Sequence, residues 1–320
     1  MSVSNTTISS DINDIYQRLA VFVQFYAICL FFFGAVGNTL SIYVLTRPTF
    51  RSNSCACYLL ASTLSGCGSV YINIPLRLLQ QGYGIDAHAY SIPVCQFLNY
   101  IQICIRALPV WFVVLASIDR SSSVTLRGWS NIRVAYRVIP ITVVFVFLIY
   151  IHEPFNVTLV LPQRMCLFAT STYRLFFGIW DLIFWSSIPT SCMLCFGLLT
   201  IRHIRQGMRR VQALNTQNHS RRRQSKTDHQ LIQMLLIQSF VLCSTTSVLS
   251  IGNLYISITS INMVKTALQT AEDTYLLIVL NWIATSGPCM NFYLFILSSQ
   301  LFRHELINLL RWRQPVPQVN

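Results

Sequence analysis

Seven long apolar stretches dominate the sequence and leave few folds open to it. An α-helix crosses the hydrocarbon core of a bilayer with about 20 mostly apolar residues, and each stretch is about that long or longer. Only 10% of the residues are charged, whereas about 25% are charged in soluble domains. The pattern predicts an all-α membrane protein, a bundle of seven transmembrane helices. The predicted spans lie near residues 20–46, 55–81, 95–120, 134–153, 173–201, 229–259 and 273–298.

One domain accounts for the chain. The seven-span bundle occupies residues 20–298, an extracellular tail precedes it over 1–19, and a cytoplasmic segment follows it over 299–320. The tail opens "MSVSNTTISSDIND", which lacks the basic start and short apolar core of a cleavable signal peptide. We therefore expect the tail to remain part of the protein. No internal repeat divides the bundle.

The distribution of basic residues predicts the orientation. The formal net charge is +13, and with the first residue outside, 17 of the 23 Lys and Arg residues fall on the cytoplasmic side. Five fall outside, and Arg106 falls within a span. Because cytoplasmic loops attract Lys and Arg, we expect a multi-pass plasma-membrane protein with its N-terminus outside and its C-terminus in the cytoplasm. The basic run over 202–226 signals topology and attracts anionic lipid, whether or not it has a further role, so no nucleic acid is implied.

Features of the predicted outer side agree with this orientation. Asn5 and Asn156 each begin an Asn-x-Thr tripeptide, which is an acceptor pattern for glycosylation. Of the 11 cysteines, most lie within spans, where a free Cys acts as a small apolar residue. Cys95 and Cys166 instead lie on the oxidising side, where disulfides persist. We predict that these two form a disulfide.

The arrangement resembles the rhodopsin-like G protein-coupled receptors over nearly the whole chain. The resemblance rests on the seven spans, the outer N-terminus, the cysteine pair and one spacing. In that family, a Cys at the outer end of span three precedes the Arg of an Asp/Glu-Arg-Tyr motif by 25 residues. Here Cys95 precedes Arg120 by 25 residues, within Asp119-Arg120-Ser121, so that Ser replaces Tyr.

Further landmarks of the family are present. The Gly37-Asn38 pair is typical of span one, and Pro75 and Pro189 stand where many receptors have prolines in spans two and five. "NFYLF" at 291–295 aligns with the Asn-Pro-x-x-Tyr motif of span seven. "SSQLFRHELINLL" resembles the short amphipathic helix that follows span seven, with an apolar face formed by Phe302, Leu306 and Leu310.

Several parts that move during activation in the family are altered. Phe292 and Phe295 replace the Pro and the Tyr of the span-seven motif, while Ser247 stands near the lost proline of span six. Gly66 takes the place of the span-two Asp, and Pro109 replaces a small polar residue of span three. The resemblance therefore implies that no allosteric sodium ion binds. It also implies that the hinge of span six lies elsewhere, in the Ser/Thr run 244–247 or at Gly252.

The resemblance assigns G protein coupling to Asp119, Arg120, Asn291 and Phe295. Arg120 would be held by Asp119 in the inactive state and would turn toward a heterotrimeric G protein when span six moves outward. The alternative is that Arg120 only anchors the helix end at the membrane interface, where a charge reaches water or a partner.

Two deeper charges predict where a ligand binds. By resemblance, Arg106 and Asp181 face the ligand cavity, either as an internal ion pair, as contacts for a charged ligand, or as both, because lone charges in a membrane are costly. Gln102 stands one turn from Arg106, where amine receptors carry an Asp, so an amine ligand is disfavoured. A peptide is favoured, and an acidic small molecule is the second choice. The expected lining is completed by Tyr100, Trp185, Asn281 and Trp282.

Other function classes find less support. No Gly-rich phosphate loop, H-E-x-x-H pattern or Cys-x-x-Cys metal pair set occurs, so we expect no enzyme, no cofactor and no metal site. "MLLIQ" and "FRHEL" are loosely similar to invertebrate neuropeptide receptors. The alternatives are a transporter, which commonly has two related halves, and a binding-only decoy receptor. The altered "NFYLF" and span six favour the decoy, whereas Asp119-Arg120 and the basic loop favour signalling.

Overall fold

The computed structural model describes residues 2–51, 53–125, 131–160, 165–213, 219–262 and 265–311. These ranges are almost entirely helical. One antiparallel hairpin pairs strand β1 (Val157–Val160) with strand β2 (Met165–Phe168), with Leu159 opposite Cys166. The α-helices are α1 (Ser2–Leu45), α2 (Pro48–Arg51), α3 (Ser54–Gly68), α4 (Ile74–Arg77), α5 (Ile92–Thr125), α6 (Ile132–Ile149), α7 (Ser171–Asp181), α8 (Ile188–Ala213), α9 (His219–Asn262), α10 (Ala267–Ser298) and α11 (Gln300–Arg311).

Six helical stretches within the described ranges are long and apolar enough to cross a membrane. Each coincides with one of the first six predicted spans to within a few residues at most ends. The first lies in α1, which continues as one helix from Ser2 through the predicted tail. The chain is thus an all-α membrane protein. The six stretches are Ser10–Leu45, Ser54–Gly82, Ile92–Ser122, Ile132–Asn156, Ser171–Thr200 and Ile232–Thr259.

The seventh predicted span does not join this set. Helix α10 covers it as a continuous helix of 32 residues, so its length is sufficient. Polar residues along it, among them Asn281 and Asn291, lower its mean hydropathy below that of the other six. The structure therefore shows six candidate spans where the sequence predicts seven. Ser299 separates α10 from the 12-residue helix α11.

Wide π-helical turns interrupt the second and fifth apolar stretches. Two of them, Ser69–Asn73 and Leu182–Ser187, stand just before Pro75 and Pro189, and a third, Leu78–Gly82, ends the second stretch. A proline lacks an N–H group, and its ring clashes with the carbonyl group four residues earlier. A wider turn relieves that clash without ending the helix. Such turns are frequent at functional sites, and both re-aim the side chains that follow them.

The core lies around α5, which packs against α3, α6, α8 and α9, while α1 packs against α10 and α3. Close approach of α1 to α10 depends on Gly37, because a Cβ atom there would lie 3.1 Å from Cβ of Phe292. Large apolar side chains also cover the outside of the bundle. Phe25, Phe240 and Leu297 expose 70%, 74% and 77% of their surface. Exposure of this kind fits a protein surrounded by lipid.

An aromatic cluster docks α11 against the bundle. The ring of Phe302 lies 5.6 Å from that of Phe295, 5.9 Å from that of Phe292 and 6.4 Å from that of Phe50, measured between centroids. Phe302 is fully buried, whereas Arg303 and His304 are exposed, so α11 rests on one apolar face.

A polar contact also ties α11 to α9. Oε1 of Gln230 accepts hydrogen bonds from the backbone N–H of Leu301 at 2.7 Å and from Oγ of Ser299 at 3.3 Å. The first N–H groups of a helix have no partner within that helix. Gln230 therefore caps α11 from another helix.

Candidate functional site

A disulfide between Cys95 and Cys166 marks one end of the bundle, which we call the disulfide end. The two Cα atoms lie 5.8 Å apart and join the start of α5 to strand β2. Nε2 of Gln96 donates to the carbonyl of Val157 at 3.2 Å, and Nδ2 of Asn99 contacts Sγ of Cys166 at 2.8 Å. The predicted pairing is confirmed. The hairpin is fixed over the end of α5 as a result.

Removing this disulfide is expected to destabilise the protein. Cys95→Ser opens a crosslink between residues separated by 71 positions, and loss of a native disulfide typically costs about 2–5 kcal/mol. We expect a lower melting temperature for the purified variant than for the parent, and no further decrease on adding a reductant. Cys29→Ser, at an exposed free cysteine of α1, is the matched control. Equal melting temperatures for Cys95→Ser and the parent would contradict the prediction.

A cavity of about 290 Å³ opens at the disulfide end, with Phe168 of β2 in its wall. Side chains from α4, α5, α7, α9 and α10 line it. Its charged lining consists of Arg77, Arg106, Arg174 and Asp181. Its carboxamide lining consists of Gln81, Asn99, Gln102, Asn253 and Asn281.

Arg106 and Asp181 face this one cavity, as the sequence predicts. They also share a smaller chamber of about 60 Å³ with Tyr150 and Trp185, where the Arg106 guanidinium lies 4.7 Å from the centroid of the Trp185 ring. Within the described ranges, Arg106 has no carboxylate oxygen within 4.0 Å. The two charges are therefore neighbours across a cavity and do not form a direct ion pair. The guanidinium gains stability from the aromatic face instead.

Four of the remaining predicted lining residues divide into three groups. Gln102 and Asn281 line the cavity, and each has a buried polar atom without a hydrogen-bond partner among the residues that the structure describes. Trp185 lines the smaller chamber. Tyr100 points elsewhere, because its hydroxyl donates to the carbonyl of Phe147 at 2.7 Å.

Trp282, which the sequence places in the ligand cavity, is not among the residues that line this cavity. Trp282 is only 1% exposed, and its ring lies 6.3 Å from that of Tyr26 on α1. Its indole Nε1 donates to Oε1 of Gln81 at 2.9 Å. A helix turns by about 100° per residue, so Trp282 faces α1 while its neighbour Asn281 faces the cavity.

Two cavity arginines were missed by sequence reasoning, which counted Arg77 and Arg174 only as charges of the outer side. Nε of Arg77 donates to Oδ1 of Asn73 at 2.9 Å, one turn earlier in the same stretch. Arg174 lies in the first turns of α7. Both arginines fall inside predicted spans, 55–81 and 173–201, and charges inside spans usually face a cavity. That signal would have found them.

The opposite end of the bundle holds the charged pair Asp119-Arg120, and we call it the Arg120 end. Both side chains are buried, with 9% and 4% exposure. Oγ of Ser54 donates to Oδ2 of Asp119 at 2.8 Å, and Arg120 donates to Oδ1 of Asn53. Oδ1 of Asn53 also caps α3 by accepting from the N–H of Cys55 at 3.1 Å. The start of α3 therefore contacts both charges, which the sequence did not predict.

The two span-seven residues of the coupling set have different surroundings. Asn291 is buried, and its side-chain amide has no hydrogen-bond partner in the described part of the chain. Phe295 is fully buried against Phe302. The Phe at this position lacks the hydroxyl of the family's Tyr and contributes aromatic packing that holds α11.

Helix α9 carries a run of hydroxyl groups where the family has its span-six proline. Ser244, Thr245 and Thr246 each donate to a backbone carbonyl four residues earlier, at 2.8, 2.9 and 2.7 Å. Hydrogen bonds of this kind compete with the helical ladder and often bend helices. Oγ of Ser247 instead lies 3.1 Å from Oγ of Ser186, in the wide turn before Pro189.

Two further site predictions have only partial structural context. Asn156 is half-buried at the start of the hairpin, where its Nδ2 donates to the carbonyl of His152 at 2.8 Å. Asn5 lies within α1, and its side chain is outside the described residues. Glycosylation at both sites stays a prediction.

No metal-binding cluster of three or more His, Cys, Asp or Glu residues occurs among the residues that the structure describes. Comparison with known proteins adds no identity: no protein family and no curated protein matches this sequence. The function must therefore be inferred from the geometry of the two ends of the bundle.

Proposed function

We propose that this protein is a seven-span, rhodopsin-like G protein-coupled receptor for a peptide. The disulfide end faces the outside of the plasma membrane, and the Arg120 end faces a heterotrimeric G protein. One observation carries the proposal: a single helix, α5, supplies Arg106 to the cavity and the buried pair Asp119-Arg120 to the other end. Arg106 and Arg120 are 14 residues apart, roughly 21 Å along the helix.

The proposal takes α10 as the seventh span. Its exposed apolar residues recur every seven positions, at Leu276, Ile283, Met290 and Leu297. The stripe is roughly 30 Å long, which is the thickness of the hydrocarbon core. The polar residues that lower the hydropathy of α10 face inward instead, because Asn291 and Thr285 are buried. The short helix α11 follows, as the family resemblance implies.

A peptide ligand fits the chemistry of the cavity. Five carboxamides line it, and each can both donate to and accept from a peptide backbone. Apolar side chains such as Ile103, Phe177 and Leu277 stand between them and offer contacts to ligand side chains. The one acidic residue among the residues that line the cavity, Asp181, lies beside Arg106, so a protonated amine meets a net positive site.

Outward motion of α9 is the step that would open the Arg120 end. The hydroxyl run 244–246 weakens the helical ladder, and Gly252 packs so closely that a Cβ atom would lie 2.7 Å from Cδ1 of Leu280. The hinge belongs to one of these two places. The contact of Gln230 with the start of α11 opposes the motion.

A binding-only decoy receptor is the second candidate. The replacement of Pro and Tyr by Phe292 and Phe295, both packed against Phe302, favours it. The packing of the Phe292 and Phe295 rings against Phe302 would resist a rearrangement of the helices at the Arg120 end.

The deciding experiment uses the full-length chain in cells, exposed to a library of synthetic peptides, with cyclic AMP and calcium read together. A receptor gives a response to at least one peptide, and that response disappears in cells that lack the chain. A peptide that binds the chain without activating any G protein subtype would establish the decoy. The absence of both binding and response across the library would count against both candidates.

Sodium is expected to leave signalling unaffected. In the second predicted span, Gly66 lies beside Asn38 and Pro288. A Cβ atom added at Gly66 would lie 3.5 Å from Nδ2 of Asn38 and 3.5 Å from Cβ of Pro288. A sodium site there would need a carboxylate. Agonist affinity should therefore stay constant when sodium is replaced by N-methylglucamine at equal ionic strength. Gly66→Asp places a carboxylate at this position, within ordinary contact distance of its neighbours, and should make agonist affinity depend on sodium. If agonist affinity of the parent protein changes with sodium, the prediction is wrong.

A further inference from the structure

The cavity at the disulfide end has an unbalanced charge. Three arginines line it, Arg77, Arg106 and Arg174, against the one acid Asp181. Within the described ranges, none of the three guanidinium groups has a carboxylate oxygen within 4.0 Å. The lining therefore carries two positive charges in excess.

Such an excess is costly in a site of low dielectric constant. Like charges repel more strongly there than in water, and charged residues within spans normally pair. Arg106 gains part of its stabilisation from the Trp185 ring, and Arg77 gains part from Oδ1 of Asn73. Each guanidinium group has five N–H donors, more than these contacts use, and both groups line the cavity. An anion in the cavity would remove the repulsion and satisfy those donors.

The arginines stand at different depths. Arg174 is exposed near the start of α7, and Arg77 is half-buried. Arg106 is the deepest, 11 residues after Cys95 on α5, or roughly 16 Å along the helix from Cys95. A ligand that neutralises the excess must therefore carry two acidic groups that are separated along the cavity.

The carboxamides identify what connects those groups. Gln102 is only 4% exposed, and its Nε2 has no hydrogen-bond partner in the described part of the chain. Oδ1 of Asn281, also without such a partner, lines the same cavity. A buried donor and a buried acceptor left open in one cavity match the C=O and N–H of a peptide unit. The acidic groups would then be the carboxylate of a peptide C-terminus and the side chain of a neighbouring Asp or Glu.

We propose that the cavity binds the acidic C-terminal end of a peptide, which presents two carboxylates to the three arginines. This inference rests on the proposed ligand-binding role of the cavity, and it specifies the charge of the ligand. It does not depend on G protein coupling.

The test measures binding without any G protein. The full-length protein in nanodiscs of neutral phosphatidylcholine is heated with either the tripeptide Gly-Ala-Glu as the free acid or the amide of Gly-Ala-Gln. A ligand that binds only the folded state raises the melting temperature, and the increase grows with the ratio of ligand concentration to dissociation constant. The acid should raise it at millimolar concentration and the amide should not. Glutarate, a dicarboxylate without a peptide unit, should stabilise less than the acid.

Variants locate the effect. Arg106→Gln and Arg174→Gln should each weaken binding of the free acid by about tenfold or more, the range expected for a lost charged hydrogen bond. Asp181→Asn should strengthen it, because the competing carboxylate is removed. Arg18→Gln, at an exposed arginine of α1 paired with Asp14, should leave binding unchanged. Arg174→Gln, at an exposed arginine, keeps the test informative if Arg106→Gln does not fold.

Three results would overturn the proposal. The first is that the acid and the amide raise the melting temperature equally, or that neither of them raises it. The second is stabilisation by glutarate that matches or exceeds that by the tripeptide, which would assign the cavity to a small organic acid. The third is unchanged binding in both arginine variants. A protein that binds the acid and activates no G protein would support this inference while refuting receptor signalling, so the two failures are distinguishable.

Discussion

Arg120→Ala is expected to abolish G protein activation and to leave ligand binding intact. Arg120 lies roughly 21 Å along α5 from Arg106, so its removal leaves the cavity unchanged. Its side chain is 4% exposed at the opposite end and donates to Asn53. We expect nucleotide exchange on the G protein to fall to the level without receptor, with ligand affinity equal to that of the parent. Arg133→Ala, at an exposed arginine in the first turn of α6, is the control.

Asp119→Asn should act in the opposite direction. Asp119 accepts a hydrogen bond from Ser54, and its carboxylate lies next in sequence to Arg120. Asn cannot supply the charge that favours the buried guanidinium, so the inactive arrangement is weakened. Basal nucleotide exchange should rise above that of the parent. Normal signalling by Arg120→Ala would refute the coupling role of this pair and would leave Arg120 as an anchor of the helix end.

Asp181→Asn is expected to cost about 3 kcal/mol of stability, the lower end of the range for a broken buried charge pair. Asp181 is 8% exposed and is the one acid in a cavity lining with three arginines. The lower end of this range of free energies applies because the Asp181 carboxylate compensates the charge of the Arg106 guanidinium across the cavity and does not contact it directly. The loss should appear as a lower melting temperature and reduced surface expression. Asp14→Asn, at an exposed acid of α1, should change neither.

The double variant Arg106→Gln, Asp181→Asn distinguishes an energetic interaction between the two charges from the separate cost of losing each polar group. Removing both charges should recover a large part of the stability lost in Asp181→Asn alone, which double-mutant cycles can measure. The charge swap, Arg106→Asp with Asp181→Arg, should recover less, because it removes the guanidinium from the Trp185 ring. Additive losses in the double variant would show that the two charges do not interact.

The helices were predictable because apolar length alone determines which segments a bilayer accepts. The disulfide was predictable from the location of two cysteines on one side. The seventh predicted span, covered by α10, shows the limit of this reasoning. A mean over α10 combines its inward polar residues with its exposed stripe at Leu276, Ile283, Met290 and Leu297. Only the folded arrangement separates the two faces.

The candidate sites were less predictable because their contacts join distant parts of the chain. Asn53 and Ser54 meet the Asp119-Arg120 pair across more than 60 residues. Arg77 joins the cavity after a wide turn that is an indirect effect of Pro75. Trp282 and Asn281 are adjacent in the sequence, but their side chains point about 100° apart around the helix. One faces α1 and the other faces the cavity.

The capping of α11 by Gln230 makes the last helix a participant in the equilibrium at α9. Leu301 and Ser299 both donate to the same Oε1 atom, so the proposed outward motion of α9 would require these two bonds to break. By thermodynamic linkage, the free energy with which α11 docking restrains α9 equals the free energy by which α9 motion loosens α11. Anything that draws α11 into the headgroup layer, such as anionic lipid at its exposed basic residues, would therefore shift α9 without touching the ligand cavity. Under the proposed mechanism, membrane composition would act on this protein through the side chain of Gln230.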